Sequence, residues 1–237
     1  MSSMVACSNW KEWLRAAREG KLVPLQECST VARVQLVFVA ALLAALLDVL
    51  ASWMGWSNAS LRAQHAAINQ IVATRMGYQP PAPLHFSALG VLSSSLFVGT
   101  LAALMLWSIV GASVVSGVLR RRVPIGVIAT AAVLPLPLTS ALGVLSVVVQ
   151  LVVGSARAIP SLGAFVDPSV ADVRVFSIAS KIELGSLVHA LVMMRLLLLS
   201  ERWSLVALGG AVAFVLRSVL ITGAILLIAS VSGLAAP

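Results

Sequence analysis

Apolar residues in this chain fall into long runs separated by short polar joints. About twenty consecutive apolar residues are needed to cross a hydrocarbon core, so each run is read as a membrane span. The first extends over about Val34 to Met54, with Trp53 and Trp56 marking its far interface. Leu84 to Leu119 is too long for an upright span and predicts a tilted or overhanging helix. In Val123 to Val153, Pro135 and Pro137 remove backbone donors and predict a kink or local opening. A fourth span is expected over about Val175 to Leu199 and a fifth over about Trp203 to Ile228, joined by Ser200, Glu201 and Arg202. The expected fold class is therefore an all-α polytopic helix bundle with about five transmembrane helices.

Two polar stretches carry helical periodicity. In the leader, residues 1–33, Trp10, Trp13, Leu14 and Ala17 share one face, while Asn9 and Glu12 fit a cap and its capping-box partner. With Lys11, Arg15 and Arg18 largely off that face, the segment reads as an amphipathic helix on the membrane surface, or as one docked on the protein's own loops. In the segment 57–77, Leu61, His65, Ile68 and Val72 recur at helical spacing before Pro80, Pro81 and Pro83. A second interfacial helix is expected there, on the extracytoplasmic side. Gly154 to Arg174 is a loop, broken by Pro160 and the pair Asp167 and Pro168. The chain thus divides into a cytoplasmic leader, 1–33, a five-helix membrane domain, 34–232, and a short extracytoplasmic tail, 233–237. Charged residues continue to Arg33, so no cleavable signal is expected and the first span stays in the membrane.

Composition narrows the functional classes. Of 237 residues 60% are hydrophobic and 10% charged, and mean hydropathy is +1.04, whereas soluble domains carry about 25% charged residues. No polar stretch is long enough for a separate catalytic domain. Sixteen Lys and Arg against eight Asp and Glu give a net charge of +8. In a membrane chain this excess points to topology and anionic lipid headgroups before nucleic acid. Arg120, Arg121 and Arg122 are the strongest topological signal. With the leader's basic residues they place the N-terminus in the cytoplasm and the C-terminus outside. Cys7 and Cys28 are the only cysteines, too few for a disulfide framework or a multi-Cys metal site.

The stretch Ser161-Leu162-Gly163-Ala164-Phe165-Val166-Asp167-Pro168, followed by Ser180-Lys181-Ile182-Glu183-Leu184-Gly185-Ser186-Leu187, resembles the bacterial members of the Yip (Ypt/Rab-interacting protein) family. Those relatives carry an N-L-G-A-F-like run and then a motif like I-D-L-F-S. Here Ser161 stands for the usual Asn, Glu183 for the usual Asp and Gly185 for the aromatic residue. The resemblance extends to the order of elements over about residues 30 to 232. It implies a helical protein of the bacterial cytoplasmic membrane, N-inside and C-outside, with no established enzymatic activity. Eukaryotic relatives look like small-GTPase partners and vesicle-shaping proteins.

Ionisable residues at membrane depth are costly and usually face the bundle interior, so they are the default sites. Asp48, Lys181, Glu183, His189 and Arg217 qualify. Asp48 shares a small face with Ala41, Ala44 and Ala45, opposite Leu42, Leu43, Leu46, Leu47 and Leu50. From a rise of about 1.5 Å per residue, Asp48 and Lys181 come to roughly the same depth, as do Glu183 and Arg217. Two charge pairs are expected, structural in one reading and lining a polar pathway in the other. His189 alone reads as a packing residue, so neither a metal nor a cofactor is expected. Patterns for zinc proteases, nucleophile elbows and phosphate loops are absent, so no enzyme is expected. Ser95, Gly99 and Ala103 form a small-residue row for close helix packing, with a homo-oligomer face as the second use.

Three functions remain in view. The first is a non-enzymatic membrane scaffold or accessory subunit docked on a larger membrane complex, its partner a membrane protein. The second is a transporter or channel component using Asp48, Lys181, Glu183 and Arg217. The third is a receptor for a cytoplasmic factor, using Trp10, Trp13 and Arg120 to Arg122.

Overall fold

The computed structural model describes residues 7–18, 23–75, 86–199 and 201–231, apart from the side chains of 173 and 228–231. The expectations for Ser200, for Pro80, Pro81 and Pro83 and for the tail 233–237 concern residues outside that set. The described residues form eight helices: α1 (Trp10–Arg18), α2 (Thr30–Ser57), α3 (Ala59–Arg75), α4 (Ala88–Val118), α5 (Ile125–Val153), α6 (Val173–Lys181), α7 (Leu184–Leu197) and α8 (Trp203–Val231). No named strand occurs among them, and the protein is an all-α membrane helix bundle. Four helices, α2, α4, α5 and α8, are long and apolar enough to cross a bilayer.

The expected fourth span is not one helix. It is divided at Ile182 and Glu183, leaving the amphipathic α6 and the 14-residue α7. At about 1.5 Å per residue α7 reaches only about 21 Å, short of a hydrocarbon core of about 30 Å. The break therefore lies at membrane depth.

The small face of α2 behaves as its sequence predicts. Ala40, Ala41, Ala44 and Ala45 are buried, while Leu43, Leu46 and Leu50 are exposed and Leu42 and Leu47 half-buried. Helix α4 contains two π-helical stretches, Ser94–Gly99 and Ser113–Val118, and its last turn closes through Arg120 in the left-handed region at φ 51. Arg121 then reaches Glu201 at 2.6 Å, tying the end of α4 to the joint between α7 and α8. Arg120 and Arg122 are exposed. Close contact between α7 and α8 depends on Gly210, where a Cβ would lie 2.6 Å from Leu191 Cδ2 and 3.2 Å from its Cα. The main core is apolar, built around Trp107, Val110, Ile128, Met193, Met194 and Val206.

The leader helix is docked on the bundle rather than presented away from it. The Asn9 side chain accepts from the Glu12 N–H at 3.1 Å, and the Glu12 carboxylate accepts from the Ser8 N–H at 2.9 Å, so the capping pair forms with its return bond one residue early. Hydrogen bonds from the Ser8 N–H and hydroxyl to the Glu12 carboxylate hold it below its usual range. Trp10 and Trp13 pack on the protein's own core clusters, and the Trp13 indole donates to the Val23 carbonyl at 3.1 Å. Both indoles are thus partly buried against the end of the bundle, while Leu14 of the same stripe is exposed. The same docking brings Cys7 and Cys28 together, both buried, with the Ser29 N–H donating to the Cys7 carbonyl at 3.0 Å. Burial and the neighbouring Cys7 thiol push the Cys28 thiol up to about 12.

Two outcomes follow. Gly210→Ala should lower the melting temperature in detergent, because overpacking costs about 1 to 3 kcal/mol and exceeds the gain of under about 1 kcal/mol in helix propensity. Gly126→Ala, with open space around its Cβ, should not lower it. Cys7 and Cys28 should resist maleimide at pH 7.5 in the intact protein and react once Trp13→Ser unseats the leader.

Candidate functional site

A helix that stops inside a membrane leaves backbone groups that water cannot reach, so the protein must bond them internally. At the break between α6 and α7 this is done by a returning loop. The Leu162 N–H donates to the Ile182 carbonyl at 3.0 Å, and the Leu184 N–H donates to the Pro160 carbonyl at 2.9 Å. Together these form an antiparallel bridge between Ser161 and Glu183. Gly163 makes the approach possible, since a Cβ there would lie 2.9 Å from the Ser180 Cα and 3.2 Å from its backbone nitrogen. The segments 161–168 and 180–187 are thus bonded to each other.

The Lys181 carbonyl at the end of α6 is held by Arg217. Its Nη1 donates to the Lys181 carbonyl at 2.8 Å, while Nη2 lies 3.8 Å from Glu183 Oε1. Counting from Trp203 and from Leu197, Arg217 and Glu183 are level, each about 21 Å from the shared end of α7 and α8. The expected pair exists, but it is loose: the Glu183 side chain is 50% exposed and that of Arg217 11%. Glu183 caps α7 in extended backbone rather than sitting within a helix.

A second defect adjoins the first. Pro135 interrupts the ladder of α5, and the Ala132 carbonyl near that kink lies 2.9 Å from His189 Nε2. A carbonyl only accepts, so Nε2 carries the proton. The His189 ring stacks on Trp107, with centroids 4.3 Å apart and planes 8° from parallel. The Arg217 guanidinium lies 5.8 Å from the same indole's centroid. His189 is therefore a packing and capping residue that links the proline kink to the helix break.

The second expected pair does not form. Asp48 is hydrogen-bonded by the Ser95 hydroxyl, whereas Lys181 is exposed on the last turn of α6. No ion pair joins them among the described residues. The break explains this, because α6 is a separate amphipathic helix and does not continue the line of α7. Ser95, from the small-residue row, is the partner that charge-pair reasoning overlooked.

The loop 154–172 is fixed from several sides. Gly154, at φ 70, ends α5 in the left-handed conformation that favours glycine. Gln64 on α3 donates to the Gly154 carbonyl at 3.0 Å and accepts from the Ala156 N–H at 2.9 Å. Arg75 donates to the carbonyls of Pro168 and Ala171 at 2.9 and 2.7 Å. Asp167 pairs with Arg157 at 3.0 Å and accepts from Ser169, contacts that hold its carboxyl well below the usual carboxylate range. Helix α3 therefore clamps this loop, with Leu61 and Ala73 buried, Ile68 and Val72 half-buried and His65 exposed. Above this framework Phe165 is 87% and Val170 81% exposed, and Leu162 is exposed as well.

Compared with family models, curated proteins and solved structures, the chain matches none. Among the described residues no group of three or more His, Cys, Asp or Glu is placed to hold a metal ion.

The geometry predicts unequal costs for the two charged partners. Arg217→Met leaves the Lys181 carbonyl without its bond and should cost about 1 to 3 kcal/mol or more. Glu183→Gln should cost under about 1 kcal/mol, as for a half-exposed ion pair. Thermal unfolding in detergent should therefore find the double variant close to Arg217→Met alone, with little rescue.

Proposed function

We propose that this protein is a non-enzymatic membrane scaffold or accessory subunit that docks on a larger membrane complex through the loop 154–172. One observation carries the reading. Gln64, Arg75 and Asp167 hold the loop's backbone in place, while Phe165, Val170 and Leu162 stand uncovered on it. Burying a side chain such as Phe contributes about 1.5 to 3 kcal/mol, and a backbone already fixed avoids much of the ordering cost of association. The occupant is a second membrane protein whose apolar surface meets these side chains at the bilayer boundary.

The proposal includes kinship with the Yip family and residence in a bacterial cytoplasmic membrane. The basic residues of the leader and of Arg120 to Arg122 support a cytoplasmic N-terminus, with the docking loop outside. Anionic headgroups are suitable neighbours for the exposed Arg120 and Arg122. The pathway reading has less support, because Glu183 and Arg217 border the central cleft while Asp48 and Lys181 are not among its lining residues. The receptor reading loses Trp10 and Trp13 to internal packing and Arg121 to Glu201.

A photo-crosslinking residue placed at 165 or 170 in living cells should give one discrete adduct with a different protein. The same residue at 152, which is equally exposed on α5, should not. Adducts with lipid or with a second copy alone, or equal adducts from 152, would overturn the docking assignment. Reporter fusions should place the N-terminus in the cytoplasm and the C-terminus outside; two cytoplasmic ends would contradict that orientation.

A further inference from the structure

The cleft beside the helix break has a volume of about 340 Å³, and its lining includes Trp107, Thr139, Ser161, Glu183, Ser186 and Arg217. Pro160 and Ser161 of the loop 154–172 contribute to this lining, whereas the exposed Leu162, Phe165 and Val170 do not. Several of its hydroxyls already donate within the protein: Thr139 to the Leu136 carbonyl at 2.8 Å, Ser180 to the Ser177 carbonyl at 2.8 Å and Ser186 to Glu183 Oε1 at 3.4 Å. Two polar atoms do not. The Ser161 hydroxyl and Arg217 Nε are buried without a hydrogen-bond partner, in residues each only 9% exposed. Buried donors left unpaired cost about 1 to 3 kcal/mol each, so an acceptor that reached either one from the cleft would be stabilised.

The electrostatics restrict what that acceptor belongs to. Arg217 and Glu183 are the charged groups lining the cleft, one of each sign, so a simple anion meets no net attraction there. Glu183 is held loosely, 3.8 Å from Arg217 and 3.4 Å from the Ser186 hydroxyl, and half of its side chain is exposed. Its carboxylate keeps free acceptor capacity for a cation. Leu136, Leu142 and Pro160 add apolar surface to the lining beside these polar groups. The volume lies within the usual range for small-molecule pockets.

We infer that this cleft binds a small zwitterion, with its phosphate or carboxylate on Ser161 and Arg217 Nε and its ammonium on Glu183. The headgroup of an aminophospholipid and a free amino acid share this chemistry.

The test uses the full chain in detergent and in nanodiscs, with thermal stability and binding isotherms as readouts. The probes are glycerophosphoethanolamine, glycine, inorganic phosphate and ethylamine, with phosphatidylethanolamine compared with phosphatidylglycerol in the nanodiscs. At least one zwitterion should bind and stabilise the protein, while phosphate and ethylamine alone should not. A response to glycerophosphoethanolamine and phosphatidylethanolamine identifies a lipid headgroup; a response to glycine alone identifies a free amino acid. Ser161→Ala, which removes an unbonded hydroxyl, should keep the fold and weaken binding about tenfold, the loss expected for one hydrogen bond to a charged group. Glu183→Gln should weaken the zwitterion similarly. Absence of any zwitterion binding, equal binding of phosphate alone, or unchanged affinity in both variants would overturn the inference. None of these outcomes bears on crosslinking from position 165.

Discussion

An interrupted helix at membrane depth is tolerable only where every freed backbone group finds a partner inside the protein. In this chain the interruption at Ile182 and Glu183 is met by the loop 160–162 and by Arg217. The rest of the far end of the bundle is arranged around that requirement. Gly163 must be small so that the loop can reach Ser180, and α8 must present Arg217 at the level of the Lys181 carbonyl. The buried cation is thus chiefly a backbone cap, and its charge partner is secondary.

The same logic extends to the second defect. Near Pro135 the Ala132 carbonyl is bonded by His189, whose ring stacks on Trp107, and Trp107 in turn faces Arg217. Two backbone irregularities, on α5 and between α6 and α7, share one aromatic and cationic cluster. This concentration of polar groups in an otherwise apolar bundle also creates the cleft. Outside it, the loop that patches the break continues into the segment clamped by Gln64 and Arg75. Structural repair and the exposed docking surface are therefore parts of one continuous piece of chain.

Long apolar runs, the proline kink and the small face of α2 were legible because they depend on composition and period, which local sequence records directly. The level placement of Glu183 and Arg217 was legible for the same reason. The helix break was not: Ser180-Lys181-Ile182-Glu183 contains neither Gly nor Pro, and its partners lie twenty residues upstream and more than thirty downstream. Gly163 was a signal, but its meaning depends on which backbone approaches it. Asp48 illustrates the opposite error. Matching depths suggested Lys181, whereas a hydroxyl from a row read only as small residues provides the hydrogen bond. Of the leader's stripe Trp10 and Trp13 pack on the bundle and Leu14 does not, because periodicity does not say whether a face meets lipid or protein.

Amide hydrogen exchange at Leu162 and Leu184 measures the patch most directly, because both N–H groups are bonded across the break. In the intact protein these amides should be protected nearly as well as those of α7. In Gly163→Ala and in Arg217→Met they should exchange faster while amides in the middle of α2 stay protected. Fast exchange at both positions in the intact protein, or unchanged protection in both variants, would contradict the account.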